Sequence, residues 1–246
     1  MKIFIDSADL EEIKEAFSWG IIDGLTTNPS LIKKAKEKYP HYQLEEYIKK
    51  ILKAANNLPV SLEVDGREGE QITAEQMYKE AKNIFNKFKE SNPSINIKIP
   101  INPAFSEEEN NQFASLKVIS KLKAEHIPVN ATLIMSPEQA LLAAKAGAEF
   151  VSPFMGRLDD KYGEGSGVQL VKDIKIIFEK YQLPTKIIAA SIRTIEHLRE
   201  SAKIGAEIST IPFKIIKKMI SHPLTYAGLN KFKEDMVKEY SELINN

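Results

Sequence analysis

The sequence predicts an α/β fold, a single-domain (β/α)8 TIM barrel with an extra C-terminal helix. Eight short apolar runs recur along the chain, at residues 2–6, 21–26, 59–64, 95–100, 127–133, 149–154, 186–190 and 207–212. Segments with helical periodicity lie between them, the order expected of a parallel sheet built from βα units. The length, 246 residues, suits one such barrel, and no Pro-, Gly- or Ser-rich linker divides it, so residues 1–246 read as one catalytic domain. An open doubly wound sheet is the architectural alternative, but no GxGxxG follows the first run.

The first run, Lys2–Asp6, ends on a carboxylate and is followed by Leu10, Ile13 and Phe17 at helical spacing. The second closes on Thr26, Thr27 and Asn28 before Pro29, and the third carries Glu63 in Val60-Ser-Leu-Glu-Val64. Thr73-Ala-Glu-Gln76 has the capping-box pattern and opens a helix with Met77, Ala81, Ile84 and Phe88 on one face. The fourth run, Ile95-Asn-Ile-Lys-Ile-Pro100, carries Lys98 and leads into a long polar loop at 101–111, where Ser106 and Glu109 are able to cap the next helix. Asn130 and Thr132 occupy the fifth. Ser136-Pro137-Glu138-Gln139 then supplies an N-cap, a proline at the first helical position and a capping Gln, and Gly147 a stop. Ser152 lies in the sixth run and Arg157 just after it; Ser191 and Arg193 follow the seventh. Beyond the eighth, Leu229, Phe232, Met236, Tyr240 and Leu243 predict a helix packed on the barrel or on a neighbouring subunit.

Composition narrows the function. Lys+Arg and Asp+Glu are both 34, which gives no electrostatic case for nucleic acid or an anionic membrane as partner, so any anion must be met by local groups. The absence of cysteine excludes disulfides and a thiolate nucleophile. Met1-Lys-Ile-Phe-Ile-Asp6 reaches a carboxylate too soon for a signal peptide, and a cytoplasmic location is the expectation. His41, His126, His197 and His222 lack metal-ligand spacing, so no bound metal is expected and His197 and His222 read as surface or packing residues.

Lys98 interrupts a β-branched run, and packing alone does not explain it. Buried in a strand, its amine would be driven below the usual value of roughly 10.4, and a neutral amine can attack a carbonyl to form a Schiff base. Its ordinary reading is a strand-end lysine that snorkels to solvent. The other strand-end polar residues have ordinary readings too: Asp6 as a helix cap, Asn28-Pro29 as a turn, Arg157 and Asp159 as a surface ion pair. In a barrel, however, the C-terminal strand ends surround one pocket. Together they would supply an amine, two carboxylates, hydroxyls, amides and two guanidinium groups. That inventory suits Schiff-base aldol chemistry on a phosphorylated ketose, with no cofactor, because a protonated imine is itself the electron sink.

Phe4-Ile-Asp6, Gly24-Leu-Thr-Thr-Asn-Pro-Ser30, Ile97-Lys-Ile-Pro100, Val129-Asn-Ala-Thr132, Gln139-Ala-Leu-Leu-Ala-Ala-Lys-Ala-Gly-Ala148, Val151-Ser-Pro-Phe-Met-Gly-Arg-Leu-Asp159, Ala189-Ala-Ser-Ile-Arg193 and Thr210-Ile-Pro-Phe213 resemble, in order and spacing, the short transaldolase family that also contains the fructose-6-phosphate aldolases. The resemblance runs from residue 1 to about residue 232; the 101–111 loop and the tail beyond 232 are longer than the short form leads one to expect. It implies that Lys98 forms the Schiff base, that Asp6 is the acid/base, and that Glu63 and Thr132 hold a proton-relaying water. It further implies that Asn28, Asn130 and Ser152 bind the dihydroxyacetone hydroxyls, with Thr26 and Phe154 also in the substrate site, and that Arg157, Ser191 and Arg193 grip the phosphate. Short members often assemble as rings of five that pair into decamers, so a homo-oligomer is expected.

Within that resemblance, aldolase members carry Gln where Glu63 stands and Tyr where Phe154 stands. Glu63 and Phe154 imply a transaldolase of the pentose phosphate pathway, which moves a dihydroxyacetone unit from sedoheptulose 7-phosphate to glyceraldehyde 3-phosphate. The alternatives are a fructose-6-phosphate aldolase releasing free dihydroxyacetone, and a sugar-phosphate-binding barrel without turnover.

Overall fold

The computed structural model describes residues 1–64, 73–104, 112–237 and 240. Eight strands, all parallel, close into a barrel in chain order: β1 (Lys2–Asp6), β2 (Gly24–Thr26), β3 (Val60–Glu63), β4 (Ile95–Pro100), β5 (Val129–Ile134), β6 (Phe150–Pro153), β7 (Lys186–Ala189) and β8 (Ile208–Ile211), with β8 returning to β1. This is the expected (β/α)8 architecture. Outside it run α1 (Leu10–Ser18), α2 (Pro29–Lys38), α3 (Leu44–Ala54), α4 (Ala74–Phe88), α5 (Ala114–Ala124), α6 (Pro137–Ala146), α7 (Met155–Tyr162), α8 (Ser166–Lys180), α9 (Ile195–Ile204), α10 (Phe213–Met219) and α11 (Pro223–Glu234). No helix among the described residues is long and apolar enough to cross a membrane.

Because strand side chains alternate with a period of two, each strand presents one set to the helices and the other to the barrel interior. The outward set is aliphatic: Ile5, Leu25, Val60, Leu62, Ile95, Ile97, Ile99, Val129, Ala131, Val151, Ile187, Ala189 and Ile211 join the main core with the inner faces of the helices. The inward set has two tiers. At the N-terminal end Phe4, Phe150, Ile188 and Ile208 form a separate apolar plug. Two positions further along β1, β6 and β8 stand Asp6, Ser152 and Thr210, and the register sets Glu63, Lys98 and Asn130 side by side across β3, β4 and β5. The plug makes the barrel a closed-bottomed cup whose open end carries the polar residues.

Several helix signals behave as their chemistry predicts. Thr73 and Gln76 make both bonds of the capping box on α4. Ser136 caps α6 ahead of Pro137, and Gly147 ends it with φ +98°, a left-handed conformation that favours glycine. Gln139 differs in detail, since its side chain accepts from Met135 N–H at 2.7 Å instead of from the cap residue's own N–H.

Other expectations need correction. The second run pairs only over Gly24–Thr26, because the Asp23 side chain takes the Ile3 N–H at 2.8 Å and Gly20, at φ +70°, still belongs to the turn out of α1. The C-terminal stripe does not pack on the barrel: no residue of α11 is buried, and Leu229 and Phe232 are 66% and 72% exposed. Met236 lies beyond the end of α11. Leu243, and the caps expected of Ser106 and Glu109, lie outside the described residues.

The plug depends on a missing side chain. A Cβ on Gly24 would lie 2.5 Å from the ring of Phe4, which is buried among Phe150, Ile188 and Ile208 and has nowhere to retreat. Gly24→Ala is therefore expected to destabilise the protein by about 1–3 kcal/mol, the usual cost of overpacking a core. Urea denaturation measures it, and an unchanged midpoint would show that the plug is more yielding than this.

Candidate active site

A cavity of about 250 Å³ opens at the C-terminal end of the barrel. Lys98 reaches its floor from β4 and is 5% exposed, so it does not snorkel to bulk solvent. Its ammonium is ion-paired with Glu63 Oε2 at 3.0 Å and donates to the Thr27 carbonyl at 3.1 Å. The position follows from the strand period, since register neighbours on β3 and β4 lie on the same face of the sheet. Breaking such a buried pair from one side leaves an uncompensated charge, which costs roughly 3–5 kcal/mol.

Asp6 lines the same cavity from the end of β1. It does not cap α1; Asp9 does, accepting from Glu11 N–H and Glu12 N–H. Burial pushes the Asp6 carboxyl above the usual carboxylate range, and this outweighs the opposing pull of the nearby Lys98 charge and of a hydrogen bond from Thr26. That bond, Thr26 Oγ1 to Asp6 Oδ1, is 2.7 Å long, and Thr26 Oγ1 also meets Thr210 Oγ1 at 2.5 Å. When Asp6 is ionised the Thr26 proton points to the carboxylate, so Thr210 must donate to Thr26. Three strands thus contribute to one hydrogen-bonded chain.

On the opposite wall, Ser152 Oγ donates to Asn130 Oδ1 at 2.7 Å, and Asn130 Nδ2 donates to Ser61 Oγ at 3.1 Å. Thr132, fully buried on β5, has a hydroxyl without a hydrogen-bond partner among the described residues. Beside it Leu133 takes φ +58° where the β5–β6 register shifts, a strained bulge that re-aims the end of β5. Asn28 both lines the cavity and caps α2, its Oδ1 accepting from Leu31 N–H at 3.0 Å with Pro29 at the first helical position.

The rim is cationic. Arg157 comes from the first turn of α7, and Arg193 from the segment after β7; both are exposed and both line the cavity with Ser152, Phe154 and Ser191. Arg193 is ion-paired with Asp160, whereas Arg157 has no carboxylate partner among the described residues. The ordinary Arg157–Asp159 surface pair is not formed: Asp159 instead bonds His197 and Gly167 N–H. Gly156 lets Arg193 cross α7, since a Cβ there would lie 2.5 Å from Arg193 Nε.

Of the residues singled out from the sequence, Lys98, Asp6, Thr26, Asn28, Ser152, Phe154, Arg157, Ser191 and Arg193 line this one cavity. Glu63 and Asn130 join it through Lys98 and Ser152. Thr132 is in the adjoining barrel wall. Two lining residues, Ala190 and Thr210, were not singled out. Thr210 carries the same signal as the others, a polar residue near the end of an apolar strand run; Ala190 carries none.

A family model described as Transaldolase/Fructose-6-phosphate aldolase matches residues 3–245. The chain belongs to the transaldolase/fructose-6-phosphate aldolase family. It is 44% identical over 238 residues to a protein of Aquifex aeolicus named "Probable transaldolase", covering 97% of both chains. Proteins with the same name from Petrotoga mobilis, 41% identical over 100% of this chain and 99% of the relative, and from Geotalea uraniireducens, 43% identical over 97% and 99%, show similar coverage. The match runs to residue 245, so the likeness to the family extends past residue 232, where the resemblance read from the motifs stops.

The Asp6 environment is testable by itself. Thr26→Val removes a hydrogen bond that favours the ionised carboxylate, so the Asp6 carboxyl should titrate at higher pH than in the wild type. Carbon-detected NMR titration reads this directly, and a downward or absent shift would show that the Thr26 bond does not favour the charged form.

Proposed function

We propose that the protein is a transaldolase, transferring a dihydroxyacetone unit from sedoheptulose 7-phosphate to glyceraldehyde 3-phosphate in the pentose phosphate pathway. The observation that carries this reading is the buried Lys98 amine at the floor of a pocket shared with Asp6, with Glu63 at 3.0 Å. An ammonium must lose a proton before it can attack, and Glu63 is the nearest acceptor. The amine adds to the C2 carbonyl of the donor, and loss of water leaves a protonated imine on Lys98.

Asp6 then takes the C4 hydroxyl proton, the C3–C4 bond breaks, and erythrose 4-phosphate departs. The bonding electrons move into the imine and leave an enamine. Attack of the enamine carbon on glyceraldehyde 3-phosphate, with the proton returned by Asp6 to the new C4 oxygen, rebuilds a six-carbon imine that water hydrolyses to fructose 6-phosphate. The upward shift of the Asp6 carboxyl suits a group that must hold and release a proton in turn. Thr132, whose hydroxyl has no partner among the described residues, and Glu63 would hold the water that moves protons at the imine. Asn28, Asn130 and Ser152 would read the dihydroxyacetone hydroxyls. Arg157, Ser191 and Arg193 would bind the phosphate, for which the guanidinium fork is suited. No cofactor is required.

Phe154 favours transfer over release of free dihydroxyacetone. A phenol at this position could orient a water that protonates the enamine, and phenylalanine has no such donor. The intermediate should therefore wait for an aldehyde.

Incubation with fructose 6-phosphate and borohydride is expected to trap one covalent adduct on Lys98, seen by intact mass and peptide mapping and lost in Lys98→Met. An adduct that survives this substitution would refute the assignment. Arg193→Ala should weaken phosphorylated substrates about tenfold or more, the loss of one charge-assisted contact; an equal loss for donors without phosphate would make the residue structural.

In a coupled assay, wild-type enzyme should release little dihydroxyacetone from fructose 6-phosphate beside its transfer to an aldehyde, and Phe154→Tyr should raise the leak. Release as fast without acceptor as transfer with it would establish the aldolase reading instead.

A further inference from the structure

The segment that follows β7 is held in an unfavourable backbone shape. Ser191 has φ +57°, the left-handed region that a non-glycine residue seldom occupies, so surrounding contacts must determine it. Most of them come from α7. The Met155 and Gly156 N–H groups at its start donate to the carbonyls of Ala190 and Ser191 at 3.0 and 3.1 Å. Its next turn carries Asp159, whose Oδ1 accepts from Gly167 N–H and whose Oδ2 lies 2.8 Å from His197 Nε2. His197 is buried at the start of α9, and its Nδ1 accepts from Arg193 N–H at 3.4 Å.

These partners fix the imidazole. Nδ1 faces an N–H and must be the unprotonated nitrogen, so the Nε2 proton points at the Asp159 carboxylate. Asp159 therefore selects the ring form that receives the backbone of Arg193. Neither residue lines the cavity, yet together they tie α7, which carries Arg157, to the segment that carries Ser191 and Arg193.

We propose that Asp159 and His197 are positioning residues, a buried clasp that sets the Ser191–Arg193 segment against Arg157 in the shape that receives a phosphate dianion. The proposal rests on the phosphate site of the proposed function. A plain structural tie between α7 and α9 would need the Asp159–His197 bond alone; the clasp needs the Nδ1 acceptor as well.

Two substitutions separate these roles. In Asp159→Asn one amide orientation sets its NH2 against Gly167 N–H, and the other sets it against Nε2, forcing the ring proton onto Nδ1 where it meets Arg193 N–H. His197→Gln keeps a donor for Asp159 but removes the acceptor for Arg193, and it serves should Asp159→Asn not fold. In each folded variant the KM for fructose 6-phosphate and the inhibition constant of inorganic phosphate should rise together by about tenfold. The kcat should stay within about twofold, and turnover of fructose, which lacks the phosphate, should be unchanged.

Unchanged phosphate inhibition in folded His197→Gln, or a fall in kcat shared by fructose, would overturn the clasp. A wild-type enzyme that neither prefers fructose 6-phosphate to fructose nor responds to inorganic phosphate would overturn the phosphate site itself, and the clasp with it.

Discussion

The two-residue period of the strands is the constraint on which everything else in this molecule depends. In a closed parallel barrel every strand is flanked on both sides, so each residue must suit either the helical shell or the interior. The outward positions are uniformly aliphatic or small, which anchors the strands irrespective of what the inward positions carry. That freedom is what lets Glu63, Lys98, Asn130 and Ser152 stand inside a protein core. The apolar plug of Phe4, Phe150, Ile188 and Ile208 closes the cup from below. Polar side chains above it need partners, and they find them across strands: Lys98 with Glu63, Thr26 with Asp6 and Thr210, and Ser152 with Asn130 and Ser61.

Much of this was legible before any coordinates. β1 and β4 lie where the apolar runs lie, because short β-branched stretches bounded by Pro, Asn and Gly leave little choice of conformation. The site was legible for the related reason that a polar residue in such a stretch is an exception needing a cause, and several such exceptions at comparable positions converge in a barrel. What stayed hidden depends on long-range pairing. Nothing local distinguishes Asp6, which enters the cavity, from Asp9, which caps α1. His197 reads as an ordinary helix residue until the fold brings it to Asp159, 38 positions away in the chain. The α11 stripe has core-like spacing, but spacing does not say which surface, if any, covers it.

The cavity divides by solvent access in a way that matches two different physical tasks. Asp6, Lys98 and Glu63 stand low in the cup, shielded from bulk solvent, where electrostatic interactions are strong, so a proton's position is governed by a few fixed neighbours. Arg157 and Arg193 stand exposed at the rim. A guanidinium stays charged wherever it is put, and at the rim it would meet the proposed phosphate dianion without having first been desolvated. In a protein whose formal charges cancel, such a local pair of cations gives the cavity mouth a positive field of its own, which the proposed sugar phosphate would meet.

This division also accounts for two of the left-handed residues, Leu133 and Ser191. The chemical floor is built on strands, whose geometry the ladder fixes, and it needs no unusual backbone until β5 ends at Leu133. The rim is built on the segments after β6 and β7, which have no ladder to hold them, and there Ser191 adopts the left-handed region. Such a conformation costs about 1–2 kcal/mol for a residue with a side chain, and it persists only where the surroundings over-determine it. A short helix does this by presenting its free N–H groups to the carbonyls of Ala190 and Ser191. Those groups, which in other proteins bind anions directly, are here consumed in shaping the backbone, and in the proposed function recognition of charge passes to the side chains of Arg157 and Arg193 at the cavity rim.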